Sequence, residues 1–257
     1  MCVRTCTPKR LPSASIDQAI AAAVEMNPLN HAPVAAARQL MPGRALNRAS
    51  LSILTARKWH TKGVTLTVGF LDSPPPALRR RIVEHMNAWS ASANVCFTET
   101  KGDADVRISR AGGIDGGYWS YLGTDILLID RDKPTMNLEG FTMDTPDSEF
   151  VRVVRHETGH TLGFPHEHMR GDLVDLIDRE KAIRFYMATQ GWSEQDVIAQ
   201  VLTPIEDSSI LGTPRSDTNS IMCYQIPGGL TKSGQPILGG VDIDALDYEF
   251  AASCYPK

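Results

Sequence analysis

Four of the seven histidines fall between positions 156 and 168, in the string His156-Glu157-Thr158-Gly159-His160-Thr161-Leu162-Gly163-Phe164-Pro165-His166-Glu167-His168. At 3.6 residues per turn, His156 and His160 project from one helix face a turn apart, so both imidazoles can reach a single ion. A third ligand has to arrive from another direction. Gly163 ends the helix and tolerates positive φ, which lets the chain reverse and bring His166 round. Three neutral imidazoles suit zinc (Zn2+) and leave its fourth position open, as a catalytic rather than a structural site requires. Glu157 is not needed as a ligand; it is placed to take a proton from a metal-activated water as general base and deliver it to a leaving amine as acid. That combination predicts amide hydrolysis without a covalent intermediate. A bare H-E-x-x-H arises in ordinary helices, but chance matches to the full H-E-x-x-H-x-x-G-x-x-H at this chain's residue frequencies number on the order of one in 10⁵.

The elements that must hold this string can be read from period and punctuation. Val64, Leu66, Val68 and Phe70 alternate with polar or small residues, the period of a half-buried strand. After Pro74-Pro75-Pro76, the residues Leu78, Ile82, Met86 and Trp89 fall on one face of an amphipathic helix. Short strands are expected at 95–100, 105–109, 118–122 and 125–130, separated by turn-rich segments. Thr145-Pro146 offers an N-cap and first-turn proline for the helix that carries the histidines and stops at Gly163. A helix over 178–190 ended by Gly191, a Ser193-x-x-Asp196 capping box and a closing helix over about 242–252 follow. Strands come first and helices later, which predicts an α+β fold rather than an alternating parallel sheet. Residues 13–42 form alanine-rich helical pieces broken at Asn27-Pro28, Ala32-Pro33 and Met41-Pro42-Gly43, an extension ahead of the main domain.

Composition narrows the alternatives. The 257 residues are 42% hydrophobic and 22% charged, ordinary globular usage that disfavours disorder, collagen and coiled coil. No apolar run approaches the roughly 18 residues of a membrane span, so no transmembrane segment is expected. With 26 Lys and Arg against 30 Asp and Glu, there is no basic excess to neutralise phosphates, and nucleic acid is not expected as a partner. Residues 1–12 are basic but lead into no apolar stretch of signal-peptide length, so a secreted form would need its leader already removed. Five scattered cysteines make no disulfide scaffold.

The histidine string resembles that of the metzincin zinc proteases, whose second element is a methionine turn; Ser220-Ile221-Met222-Cys223-Tyr224 looks like that turn. The match is closest to the astacin branch, where a glutamate and then Arg-x-Asp follow the third histidine, here Glu167 and Arg170-Gly171-Asp172. The resemblance spans about residues 58–256. It implies a two-lobed zinc endopeptidase acting on peptide or protein substrates, with a twisted mixed sheet and two long helices above the cleft and a less regular lower lobe ending in a helix. By the same resemblance, Met222 is an apolar floor beneath the metal, and Tyr224 is a fifth ligand able to swing off and hydrogen-bond the oxyanion. Gly117 to Gly123, with Trp119, Ser120 and Tyr121, resembles the edge strand against which an extended peptide pairs. The alternative is a buried aromatic strand.

Departures from the family pattern bear on the cysteines. Cys223 stands where astacins usually place a histidine, either as a buried small thiol or as a redox-sensitive neighbour of the metal. A family disulfide at the edge strand cannot form. Cys254 matches the other bridge, with Cys96 shifted two residues as its partner, and geometry decides whether they join. His31, His60, His85 and His168 are expected to be surface or satisfied polar residues, and Asp103, Asp105, Asp130 and Asp132 to serve turns and caps rather than calcium.

Astacins are made as precursors, and residues 1–55 are of a size to be a pro-segment ahead of a catalytic domain over 56–257. Such a segment could cross the cleft and block the metal with Cys2 or Cys6, or with Asp17. A packed extension that persists is the other possibility. Glu167, which in the family meets the processed N-terminus, could pair here with Arg170. Two rivals to the endopeptidase remain: a non-enzymatic zinc module whose coordination is closed by Tyr224 or an N-terminal cysteine, and a zinc amidase acting on a non-peptide amide.

Overall fold

The computed structural model describes Cys6, residues 9–32, Val34, and residues 56–113, 116–204 and 216–257. The breakers at Pro33 and Met41-Pro42-Gly43, and Cys2, lie outside the described residues.

A five-stranded sheet carries the first half of the main domain: β1 (Val64–Phe70), β2 (Val95–Glu99), β3 (Val106–Ser109), β4 (Tyr118–Ser120) and β5 (Met136–Leu138), in the order β2-β1-β3-β5-β4. The pairings β1–β2, β1–β3 and β3–β5 are parallel and β4–β5 is antiparallel, giving a mixed sheet with β4 at one edge. Helix α1 (Ile16–Met26) belongs to the extension. The parallel β1–β2 pair needs a crossover, supplied by α2 (Pro76–Met86) and a 3₁₀ turn over Asn87–Ala91. Leu78, Ile82, Met86 and Trp89 are all buried, as their spacing predicts.

The helix carrying the histidines is compound. It begins with one turn over Asp147–Glu149, widens into a π-turn over Phe150–Val154 and regains α geometry as α3 (Arg155–Thr161). Thr145 is not its N-cap; its Oγ1 instead accepts a hydrogen bond from the Thr142 amide, and Pro146 precedes the first turn. In the second half, α4 (Arg179–Gln190) is capped by Asp178 and ended by Gly191 at φ +69°. The Ser193–Asp196 capping box opens α5 (Glu194–Val197), which continues as a π-turn over Ile198–Leu202. The closing helix α6 (Ala245–Cys254) starts at an Asp244–Asp247 capping box.

Two differences from the sequence reading lie beside the sheet. Residues 125–130 are not a strand: Gly123–Leu128 is a 3₁₀ helix that buries Ile126 and exposes Leu127. A four-residue apolar run does not distinguish the two conformations. Conversely, Met136-Asn137-Leu138 is a central strand although it is short and carries a polar residue. Buried Asn137 is satisfied by giving Nδ2 to the Ala111 and Gly117 carbonyls and accepting from the Ala111 amide.

The buried apolar residues form two clusters. One lies between the sheet, α2, α3 and α6 and includes Trp89, Phe141, Phe150, Phe164 and Met222. The other gathers Leu173, Ile177, Tyr186, Val197, Val201, Tyr224 and Leu230 around α4 and α5, together with Cys6. Adjacent residues of the 220–224 turn divide between them, so this turn lies at their seam. Among the described residues no helix is long and apolar enough to cross a membrane.

The bridge left open between Cys96 and Cys254 does not form. Cys96 faces outward from β2, Cys254 is buried in α6, and both thiols are free, as are those of Cys6 and Cys223. Reductant should therefore leave the thermal unfolding midpoint within about 1 °C of its untreated value. A fall of several degrees would reveal a bridge that contributes to stability.

Candidate metal centre

Four donor atoms, from Cys6, His156, His160 and His166, lie within 4.8 Å of one another, and all four residues are buried. The helix places the first two histidines. Gly163 then reverses the chain at φ +89°, with the Gly163 amide donating to the His160 carbonyl and the Phe164 amide to the Gly159 carbonyl. The reversal delivers His166, whose Nε2 is 3.1 Å from that of His156 and 3.0 Å from that of His160. Trp59 Nε1 caps the Thr161 carbonyl and the Tyr255 hydroxyl caps that of Leu162, so the end of α3 is held from two distant parts of the chain.

The protonation pattern tests whether a metal fits. His156 Nδ1 is 2.6 Å from the Ile221 carbonyl and His160 Nδ1 is 2.8 Å from the Phe164 carbonyl. A carbonyl only accepts, so both Nδ1 atoms carry the proton and both Nε2 atoms are bare lone pairs when neutral. Burial drives the pKa of His156 and His166 well below the usual histidine value and that of His160 to about 4, so the rings are neutral. His166 Nε2 can lend a proton to one neighbour at most, which leaves a lone pair facing a lone pair at about van der Waals distance. A divalent cation resolves this arrangement, and backbone carbonyls that orient imidazoles by their far nitrogen are the usual support of such a cation. The donor set suits zinc.

Glu157 is buried and points into the same pocket, where the Cys6 thiol lies 3.5 Å from its Oε2. Burial raises its pKa to about 8, against the opposing effects of the Cys6 hydrogen bond and Arg152. Burial first, then the Glu157 charge, pushes the Cys6 thiol up as well. A cation at the four donors would reverse both shifts. The Tyr224 hydroxyl donates to the Cys6 carbonyl, and its ring stacks on His168 at 4.0 Å. His168 is not a surface residue: it is fully buried, its Nε2 donates to the Gln200 carbonyl at 3.1 Å, and its pKa falls to about 3 through burial.

The methionine turn is fastened to α6. Asp247 accepts from Ser220 Oγ at 2.6 Å and from the Ile221 amide at 2.8 Å, and Ser220 Oγ accepts from the Met222 amide. This fixes the Ile221 carbonyl that orients His156. Met222 lies so close under α3 that a Cβ on Gly159 would run into its sulfur. Neither Asp247 nor Gly159 stood out in the sequence; their need arises only when the turn and helix are brought together. Cys223 is a buried thiol whose pKa is raised by burial and then by Glu167, Asp217 and Asp247, which makes it an inert packing residue. Glu167 pairs with Arg170 at 3.5 Å, as its spacing predicts, and also accepts from the Asp217 amide.

On the opposite wall, Trp119 is buried with Tyr121 against its edge, and Ser120 Oγ is turned inward toward Thr161 Oγ1. The outer edge of β4 is taken by the chain's own extension, Cys6 bridging Tyr118 in parallel. Asp17 and the four loop aspartates, at 103, 105, 130 and 132, join no metal-binding group among the described residues.

The comparisons with known proteins agree with this geometry. The family model described as Astacin, a peptidase family, matches residues 53–231. The chain therefore belongs to the astacin family of zinc metallopeptidases. Zinc metalloproteinase nas-27 of Caenorhabditis elegans is 33% identical over 121 residues, 47% of this chain and 25% of that protein. Zinc metalloproteinase nas-38 of the same organism is 28% identical over 116 residues, 45% of this chain and 14% of that protein. The matches thus span a quarter or less of these relatives. A solved structure of myroilysin superposes with a TM-score of 0.72 at 32% identity, covering 78% of this chain and 96% of that one. The hatching enzyme HCE-1 of the medaka Oryzias latipes, described as a zinc-protease, shares the fold at a TM-score of 0.51 and 18% identity, covering 81% of this chain and 96% of its own.

Two substitutions test the support of the site. Gly159→Ala forces Met222 aside and should cost about 1–3 kcal/mol of unfolding free energy and weaken zinc retention, measured by urea titration and metal analysis. Burial lifts the Asp247 pKa to about 6 against its three hydrogen-bond donors. Its folded value lies above its unfolded one, so its contribution to stability is full below about pH 4 and is lost as pH rises through 6. Asp247→Asn should flatten the decline in stability between pH 4 and 6; an unchanged slope would contradict this.

Proposed function

We propose that the chain is a zinc-dependent endopeptidase held latent by its own N-terminal extension. His156, His160 and His166 hold the ion, and the convergence of their three Nε2 atoms beside Glu157 is the observation that carries the reading. Zinc, when bound, supplies Lewis acidity, polarising a carbonyl and bringing the pKa of water to about 7. Glu157 takes the proton released at that point and passes it to the leaving amine, a role suited to a buried carboxyl whose donor in the latent chain is the Cys6 thiol that leaves with the extension. Tyr224 donates to the peptide carbonyl oxygen as negative charge grows there. Its hydrogen bond to the Cys6 carbonyl supports this role, because Cys6 belongs to a peptide segment lying in the cleft. Met222 keeps the space under the metal apolar, and Trp119 and Tyr121 line the wall where substrate lies.

Cys6 supplies the latency. As a thiolate it would join the three imidazoles in holding the ion and would take the position that chemistry needs. The extension then has two parts with different duties. Cys6, Lys9 and Arg10 contact the walls of the cleft, while α1 and the turn after it brace the main domain. Asn27 Nδ2 donates to the Trp59 carbonyl at 2.7 Å, and Asn30 donates to the Lys58 carbonyl and accepts from the Lys58 amide. Removing all of residues 1–55 would therefore relieve the block and also loosen Trp59, which caps α3. A single substitution at Cys6 separates the two effects.

Cys6 also favours a second reading, a zinc module whose coordination is permanently closed. The zinc-loaded full chain should cleave a mixed peptide library slowly, and Cys6→Ala should raise the rate at least about tenfold, with chelator abolishing both. Glu157→Gln in the Cys6→Ala background should lower the rate by roughly 10²–10⁴. A Cys6→Ala protein that retains zinc yet cleaves nothing would establish the closed module instead.

A further inference from the structure

Beyond Cys6, the extension makes two contacts that bear on what the cleft selects. Lys9 Nζ lies 4.8 Å from the centroid of the Trp119 ring, over its face. Arg10 Nη2 donates to the Ala199 carbonyl at 2.7 Å on the facing wall. Ala199 belongs to the π-turn that ends the α5 segment, where the last carbonyls lack partners within the helix; the chain then meets Pro204, which has no amide hydrogen to offer. Those carbonyls form the negative end of the helix dipole. Arg10 itself is exposed, and Asp196 stands three positions before Ala199 in the same continuous helical stretch, so its carboxylate and the Ala199 carbonyl share a face. Asp196 and Glu194 are both exposed in α5.

The charge of the whole chain follows the same division. Six of the 26 Lys and Arg residues, but only two of the 30 Asp and Glu, lie in residues 1–55. The extension is thus +4, and the remaining chain, at −8, attracts cationic peptides at long range.

We propose that the cleft carries two cation-accepting subsites, the Trp119 indole face on one wall and the Ala199 carbonyl with the Asp196 carboxylate on the other, which select peptide substrates bearing Lys or Arg. The inference rests on the endopeptidase reading and names its substrate class. In the latent chain Lys9 and Arg10 fill these subsites; once the segment leaves, they offer a cation–π face and a helix C-terminal acceptor to an incoming chain. Each discriminates by charge and reach rather than by shape.

The test uses the zinc-loaded full chain carrying Cys6→Ala, Lys9→Glu and Arg10→Glu, which releases the segment from both subsites. Fluorogenic peptides share one apolar core and carry paired Lys-Arg, Glu-Glu or norleucine residues on either side of it. The Lys-Arg peptides should show about tenfold higher kcat/KM than the Glu-Glu peptides, with the difference in KM, because the contacts act on bound substrate generally. Trp119→Leu and Asp196→Asn should each reduce the basic-to-acidic ratio about threefold. Binding of the same peptides is measured by calorimetry with Glu157→Gln added, where turnover is blocked. Equal rates for basic and acidic peptides, or equal affinities, would overturn the subsites while leaving the peptidase intact. Tighter binding of Lys-Arg peptides by a chain that cleaves no peptide would uphold the subsites and sink the endopeptidase.

Discussion

Three imidazole Nε2 atoms turned toward one another in a buried pocket are the constraint around which this molecule is organised. Neutral rings at about 3 Å, two of them with their Nδ1 protons committed to carbonyls, have too few hydrogens to satisfy the three Nε2 atoms among themselves. Such a set is unfavourable until a cation occupies its centre, so binding energy is stored in the fold as geometry. The surrounding structure prevents relaxation. The Ile221 and Phe164 carbonyls fix two rings, Gly163 fixes the direction of the third, and Trp59 and Tyr255 hold the end of the helix on which the first two stand. Asp247 in turn holds the Ile221 carbonyl, so a carboxylate in the last helix sets the orientation of a ring 91 positions earlier in the chain.

The same pocket explains why the extension enters the core at Cys6. A thiol among three imidazoles and a buried carboxyl stays protonated, held so by burial and by the Glu157 charge. With a divalent cation present the thiolate becomes the favoured form, and the extension gains an anchor whose strength depends on the metal. The carbonyl of the same residue meets Tyr224, and its backbone pairs with the outer edge of β4. One residue of the extension thereby meets the histidine cluster, Tyr224 and the edge of the sheet. Asn27 and Asn30 attach a different part of the extension to Lys58 and Trp59 through ordinary hydrogen bonds that depend on no metal.

The site was legible in the sequence to the extent that its geometry is local. His156 and His160 are a helical turn apart, Gly163 follows as a helix breaker, and His166 lies within reach of the reversed chain, so periodicity alone brings them together. The sheet's first strand and the buried face of α2 were equally plain, because long alternating or helical patterns leave little choice. What escaped was decided by distant partners. Asp247, Gly159 and the stacking of His168 on Tyr224 are features of surfaces that meet only in the folded chain. The run Asp125 to Asp130 was too short for its apolar residues to tell a strand from a 3₁₀ turn, and Asn137 concealed a central strand because its polar side chain is satisfied by loop carbonyls. The Cys96–Cys254 bridge, which the sequence left to geometry, does not form because Cys96 faces outward from β2 while Cys254 is buried in α6.

The central claim is that three imidazoles and the extension's thiol share one zinc ion. X-ray absorption spectroscopy at the zinc edge of the full chain, with metal content measured on the same sample, tests it directly. One zinc per chain is expected, with three nitrogen scatterers at about 2.0 Å and one sulfur at about 2.3 Å, and the sulfur alone should vanish in Cys6→Ala. Folded protein that binds no zinc, or a shell that keeps its sulfur in Cys6→Ala or loses no nitrogen in His166→Ala, would contradict the account.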